Sequence, residues 1–150
     1  MKRFISLILI AIILVNIVPF YGRAVENQCE IICFDDGSYL LAELVDYNCR
    51  ASGTKTGSKK YTYYDSTDVA QWQVVLTGKF SYTGSSATCT SSSISASIYD
   101  SSWTVVSKSA SKSGNSATGY ARIGDTVAGV VVTIVPVNLT LSCDANGNLS

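Results

Sequence analysis

Apolar and polar residues alternate with a period of two over most of this chain, the spacing at which β-strand side chains share a face. The alternation is clearest in residues 72–82, where Gly78 marks a predicted bulge or close packing contact. It returns in residues 94–98 and in the most apolar run, residues 130–143. We therefore predict strands with one buried face in all three segments. The predicted inward residues are Trp72, Val74, Leu76, Phe80, Tyr82, Ile94, Ala96, Ile98, Val131, Val135, Val137, Leu139 and Leu141.

Turn residues separate these strands at short intervals. Ser113-Gly114-Asn115 has the composition of a tight hairpin turn, and Pro136 requires an edge strand or a bend. No amphipathic helix follows the first 24 residues. The pattern predicts an all-β fold for residues 37–150: one antiparallel β-sandwich of about seven strands, immunoglobulin-like or similar, after an N-terminal signal helix. A closed barrel is the second possibility.

Three segments show weaker patterns. Residues 38–45 fit either a helical face or a strand, and the β character of the rest favours a strand. Residues 25–36 have no periodicity and are predicted to be an N-terminal arm, whose conformation stays open. Residues 50–60 are rich in Gly, Ser, Thr and Lys, and they predict an exposed linker or a long hairpin loop.

The first 24 residues have the layout of a secretory signal peptide. A basic start, Met1-Lys2-Arg3, precedes an apolar run, and the small residues Gly22 and Ala24 stand where signal peptidase reads. We predict cleavage after Ala24 and a secreted protein, extracellular or associated with the cell wall. A retained anchor is the alternative, but a helix over residues 4–18 would span only about 22 Å of a core that is about 30 Å thick.

The charge of the mature chain argues against nucleic acid as a partner. Removing Lys2, Arg3 and Arg23 from 11 basic residues leaves 8 against 11 acidic ones, a net charge of −3. Binding to a phosphate backbone needs clustered basic residues. We therefore expect neither a nucleic-acid partner nor a membrane contact beyond the signal segment.

Five cysteines fit an exported protein, in which disulfides persist. Cys89 and Cys143 each lie in a strand-like run, and we predict a disulfide between them that joins distant strands. Of the remaining three, either Cys29 or Cys33 would pair with Cys49, and the sequence does not separate the two choices. A zinc site on this trio is disfavoured because the chain has no histidine and no Cys-x-x-Cys knuckle, so no metal or cofactor is predicted.

Few groups in the chain are suited to catalysis. The absence of histidine excludes Ser-His-Asp and Cys-His arrangements. Lys55-Thr56-Gly57 and Ser109-Ala110-Ser111-Lys112 match fragments of serine acyl-enzymes, but in the reverse order and with the serine in a strand. Carboxylate pairs are the remaining option, Asp35 with Asp36 or Asp65 with Asp68. An aspartate-based secreted hydrolase is therefore the alternative to a protein that is not an enzyme.

Aromatic residues provide the strongest indication of a binding function. Tyr61 and Tyr63 share one strand face, and if exposed they would form a platform on which sugar rings stack. Trp72 and Trp103 are predicted to be buried in the sandwich core. We therefore take Tyr61 and Tyr63 as the candidate ligand-binding residues, with a glycan or a cell-surface protein as the partner.

Six short phrases cover most of the chain after residue 36: DGSY (36–39), SGTKTGSKKYTYY (52–64), FSYTGSSATCTSSS (80–93), YDSSW (99–103), SKSASKSGN (107–115) and LTLSCDANGNLS (139–150). Together they resemble those of a group of small, uncharacterised secreted proteins from gut Gram-positive bacteria of the clostridial kind. The resemblance implies export, a bacterial origin and the Cys89–Cys143 pair, and it implies no activity, cofactor or catalytic residue.

Overall fold

The computed structural model describes residues 29–47 and 53–150, and all regular elements in these two ranges are β-strands. The all-β prediction is confirmed, with eight strands where about seven were expected. The strands are β1 Cys29–Cys33, β2 Tyr39–Asp46, β3 Gly53–Tyr64, β4 Ala70–Tyr82, β5 Ala87–Ile98, β6 Trp103–Ser113, β7 Ser116–Val127 and β8 Val130–Ser142.

The strands form two antiparallel sheets that make up the predicted sandwich. One sheet has the order β1-β2-β3-β4-β5 and the other the order β6-β7-β8. Every neighbouring pair is consecutive in the chain, so the connectivity is a meander and differs from the Greek key of immunoglobulin domains. The sheets are unequal, since five strands face three.

The core lies between the inner faces of β4, β7 and β8. The predicted inward residues of β4 are all buried, as are Val137, Leu139 and Leu141 of β8. Gly78 confirms the expected close contact, because a Cβ there would lie 2.7 Å from the Phe80 ring. Trp72 is fully buried as predicted, whereas Trp103 is only half-buried and packs against the core. Of the other predicted inward residues, Val131 lies 41% exposed on the surface.

The segment predicted as an exposed linker is instead the first half of β3, as far as the structure describes it. Residues 53–60 pair with β4 on one side, and residues 57–60 also pair with β2 on the other. Long-range partners stabilise this polar stretch in the sheet. Lys55 is buried, pairs with the Asp46 carboxylate and donates to the Gly147 carbonyl, and the Ser58 and Thr77 hydroxyls are 2.9 Å apart.

The N-terminal predictions fall partly outside the described residues. The signal segment, residues 1–24, and Cys49 lie outside them. Residues 29–33 of the predicted arm form β1, which pairs with β2 at the edge of the larger sheet. This strand raises the count to eight. No helix in the described ranges is long and apolar enough to cross a membrane.

Candidate functional site

The unequal width of the two sheets creates a groove. β8 is the last strand of the smaller sheet, and the larger sheet continues past it through β2 and β1. The inner faces of β2 and β3 are therefore not fully covered by the smaller sheet, and a groove of about 570 Å³ lies there beside β8. Its lining consists of Phe34, Asp36, Ser38, Leu40, Tyr61, Tyr63, Trp72, Val135, Pro136, Val137 and Asn138.

Stacked aromatic rings form the floor of this groove. Register places Tyr63 opposite Leu40 on β2 and opposite Trp72 on β4, so these side chains share one row. The Tyr63 ring stacks on Trp72 with centroids 5.3 Å apart, and it meets the Trp103 ring edge-on at 5.5 Å. Phe34 closes one side, 6.1 Å from Tyr63. Cross-strand aromatic pairs of this kind stabilise a sheet and hold the rings in place.

Tyr61 and Tyr63 share a strand face, but this face is the inner one. Both side chains are half-buried and pack against the core, so they line a groove and do not form a flat exposed platform. Burial, together with the negative charge of Glu30, raises the pKa of the Tyr61 phenol. The outer face has its own aromatic pair, in which Tyr39 stacks on Tyr64 with centroids 4.9 Å apart.

A few polar groups border the aromatic floor. The Asp36 carboxylate accepts hydrogen bonds from the backbone N–H and the hydroxyl of Ser38, and these bonds lower its pKa. Asn138 lies exposed on β8 at the opposite side. The Nε1 of Trp72 is buried and has no hydrogen-bond partner in the described part of the chain. An apolar pocket with a few polar groups is the usual composition of a ligand site.

Cys89 and Cys143 are free thiols in the structure, so the predicted disulfide is not formed in it. Both are nonetheless buried in the same core cluster, Cys89 on β5 of the larger sheet and Cys143 directly after β8 of the smaller one. The backbone N–H of Cys89 donates to the Gly114 carbonyl at 2.7 Å, and that of Cys143 donates to the Asn115 carbonyl at 3.0 Å. These two acceptors are consecutive residues of one hairpin turn. The structure therefore brings the predicted partners together, and burial raises the pKa of both thiols.

Cys29 and Cys33 lie exposed at the two ends of β1. Four residue-to-residue steps along the strand place their Cα atoms about 13 Å apart, which exceeds the roughly 7 Å that a disulfide allows. They cannot pair with each other. No group of three or more Cys, Asp, Glu or His side chains in the described ranges is arranged to hold a metal ion.

The candidate carboxylates serve mainly as turn residues. Asp65 accepts hydrogen bonds from the side chain and backbone of Thr67 and from the Val69 backbone, and these bonds lower its pKa. Asp36 likewise accepts hydrogen bonds from Ser38 within its own turn. Both carboxyls are thus held as carboxylates, the opposite of the raised pKa that a general acid needs.

The acyl-enzyme-like fragment on β3 has a structural role. Lys55 is tied to Asp46 and Gly147, and Gly57 provides space for Leu149, since a Cβ at residue 57 would lie 2.1 Å from the Leu149 side chain. Both contacts hold the C-terminal turn against the larger sheet. No local pattern in the sequence indicates this anchor, because its partners lie about ninety residues away in the chain.

Comparison with known proteins adds a structural similarity. No protein-family model and no curated protein matches the chain. The fold is similar to the 2.75 Å crystal structure of the hypothetical protein lmo2686 from Listeria monocytogenes EGD-e. That similarity has a TM-score of 0.47 and 18% sequence identity, and it covers 81% of this chain and 90% of the other.

Proposed function

We propose that this protein is a secreted or cell-wall-associated binding protein without catalytic activity, and that its ligand occupies the groove beside β8. The aromatic groove is the observation that carries this proposal. Its volume of about 570 Å³ falls within the range of about 300–1,000 Å³ that is typical of ligand sites. Tyr61 and Tyr63 offer phenol hydroxyls and ring faces to a ligand, and Asp36 and Asn138 offer polar contacts.

Export is supported by the N-terminal segment, and the location of the cysteines agrees with it. In an oxidising compartment we infer that Cys89 and Cys143 form a disulfide by exchange with a disulfide-bearing oxidant. The two thiols lose two protons and two electrons, and the oxidant leaves as a dithiol. This bond would join the two sheets at the end where the hairpin turn at Gly114 holds both backbones.

Retention of the mature domain on surface material tests the binding function. The protein is passed over purified cell walls, immobilised glycans and cell-surface proteins, alongside variants of two tyrosines on one strand. Tyr61→Ala removes a groove side chain, while Tyr64→Ala removes a half-buried ring from the opposite face of β3. We expect Tyr61→Ala to lose retention and Tyr64→Ala to keep it. Equal retention of both variants would contradict the assignment of the groove.

The aspartate-based hydrolase has less support. Asp36 lies at the groove, but its lowered pKa keeps it ionised and engaged in its own turn. Asp65 holds the next turn in the same way. We therefore favour binding over hydrolysis. If the protein releases hydrolysis products from the retained ligand, and Asp36→Asn abolishes this release, hydrolysis would be favoured over binding.

A further inference from the structure

The groove is bordered by an unpaired strand edge. Among the described strands, β8 pairs only with β7, and its other edge faces the groove. The end of the chain shows that this edge accepts a strand. The Ser142 N–H donates to the Ser150 carbonyl at 2.9 Å and the Ser150 N–H donates back at 3.0 Å, while Cys143 and Leu149 form an antiparallel bridge.

Strand geometry identifies the backbone groups that remain available on this edge. Successive residues of an antiparallel strand direct their N–H and C=O groups to alternate sides. Ser142 directs its groups to the free edge, and Cys143 directs its N–H towards Asn115 on the side of β7. Thr140 and Asn138 therefore direct their N–H and C=O groups to the free edge, and Pro136 directs a carbonyl there without an N–H. Asn138 and Pro136 also line the groove.

The floor under this edge continues along the strands. Beyond the main groove, a smaller one of about 260 Å³ is lined by residues that include Ala42, Leu44 and Ser150. Leu40, Ala42 and Leu44 lie at alternate positions of β2 and face inward. Since β-strand residues advance by about 3.3 Å, the floor from residue 38 to residue 44 is about 20 Å long, the length of about six extended residues. This space is long enough to hold one extended strand.

We propose that the ligand is an extended peptide segment of a partner protein, apolar at alternate residues, that pairs antiparallel to β8 at Thr140 and Asn138. This inference rests on the proposed function of the groove and specifies its ligand. Leu149 and Ser150 already lie antiparallel along the free edge of β8, at the positions beside Cys143 and Ser142. A peptide continuing along β8 would place every second side chain over Tyr61, Tyr63 and Leu40. Addition of a strand to a sheet edge is an established mode of peptide recognition.

A displayed library of linear nine-residue peptides, selected on the full mature domain, provides the probe. Each backbone N–H of a selected synthetic peptide is then replaced in turn by N-methyl. We expect methylation to weaken binding about tenfold at every second residue and to have less than about a threefold effect at the residues between. The tenfold figure corresponds to the loss of one hydrogen bond, about 1.4 kcal/mol.

Substitution on β8 tests the same contact from the other side. Asn138→Pro removes one edge N–H, whereas Asn138→Ala keeps it and removes only the side chain. We expect about a tenfold loss of peptide affinity for the first variant and less than about a threefold loss for the second, which loses only a side-chain contact, and both variants should keep the thermal melt of the wild type. Should Asn138→Pro unfold, the N-methyl scan still decides the question.

The outcomes separate the peptide proposal from the wider proposal of a binding groove. Peptides that need Tyr61 but show no period of two in the N-methyl scan would overturn strand addition and leave the groove intact. If the domain is retained on glycans and the library yields no binding peptide, strand addition is likewise overturned and the groove remains the binding site. A concentration-dependent dimer whose Asn138 and Thr140 amides are protected without peptide would assign the edge to a second copy and overturn the proposal. Binding that is indifferent to Tyr61→Ala would contradict both proposals.

Discussion

A disulfide between Cys89 and Cys143 should add several kcal/mol to the stability of this sandwich. The bond would close a loop of about 55 residues, and the entropy lost by the unfolded chain corresponds to about 4 kcal/mol at 25 °C. The hairpin at Gly114 and Asn115 holds both cysteine backbones by hydrogen bonds, and any strain in the native disulfide would subtract from this figure. The free energy of unfolding should therefore fall by up to about 4 kcal/mol on reduction.

Guanidinium denaturation of the exported protein, with and without reductant, measures this difference. Peptide mapping under non-reducing conditions should first recover the peptides of Cys89 and Cys143 linked. A variant in which Cys29, Cys33 and Cys49 are replaced by serine serves as the control, and it should keep the full effect of reduction. The reasoning is refuted if both thiols are recovered free from exported protein. It is also refuted if the linked protein unfolds at the same denaturant concentration before and after reduction.

Three further perturbations have outcomes that follow from particular contacts. Gly78→Ala should destabilise the fold by about 1–3 kcal/mol in chemical denaturation, because its Cβ would overlap the buried Phe80 ring; an unchanged midpoint would mean that the ring has room to move. Lys55→Met should cost about 2–3 kcal/mol by the same measurement, somewhat below the usual cost of breaking a buried pair because Asp46 keeps some solvent contact. The matched change Lys60→Met, at a pair with Glu43 in which both side chains are partly exposed, should cost less than about 1 kcal/mol. The reduced protein should lose stability as the pH rises above about 9, because burial raises the pKa of Cys89 and Cys143 and the unfolded thiols ionise first from their ordinary value of 9.0. The oxidised protein should lack this thiol contribution and lose stability only from about pH 10, where Tyr61, whose pKa burial also raises from 10.0, ionises first in the unfolded chain.

The sequence predicted the parts of the fold that depend on local alternation. Trp72 to Tyr82 of β4 and Val137 to Leu141 of β8 have the inward faces that their period of two indicated. Pro136 lies on an edge strand, as its missing N–H requires. These features follow from short-range pattern, because a strand buried on one face must alternate.

Features that depend on distant partners could not be derived in the same way. The polar start of β3 forms a strand because Lys55 donates to the Gly147 carbonyl and Gly57 accommodates Leu149, and both partners lie about ninety residues away in the chain. β1 is short and exposed, so its apolar residues show no alternation of burial. Each of these segments would be a loop without its tertiary neighbours.

The candidate site was half predictable. A shared face for Tyr61 and Tyr63 follows from their spacing, and the structure confirms it. Whether that face lies outside or over a groove depends on how many strands each sheet contains, and alternation carries no information on this number. Leu40 of β2 and Phe34 of the turn between β1 and β2 join the site for the same reason, since both belong to the part of the larger sheet and its connections that extends past β8.

Binding measured on a matched pair of tyrosine variants shows whether the groove beside β8 is the ligand site. The ligand recovered from cell walls, glycans or displayed peptides is titrated by calorimetry into the wild-type domain, Tyr61→Ala and Tyr64→Ala, after melting curves establish that all three are folded. We expect at least about a tenfold loss of affinity for Tyr61→Ala. A tenfold loss corresponds to about 1.4 kcal/mol, which is less than a buried aromatic contact usually contributes to binding. Tyr64→Ala should bind like the wild type. Undiminished binding by folded Tyr61→Ala, or an equal loss in both variants, would contradict the claim that the groove beside β8 is the binding site.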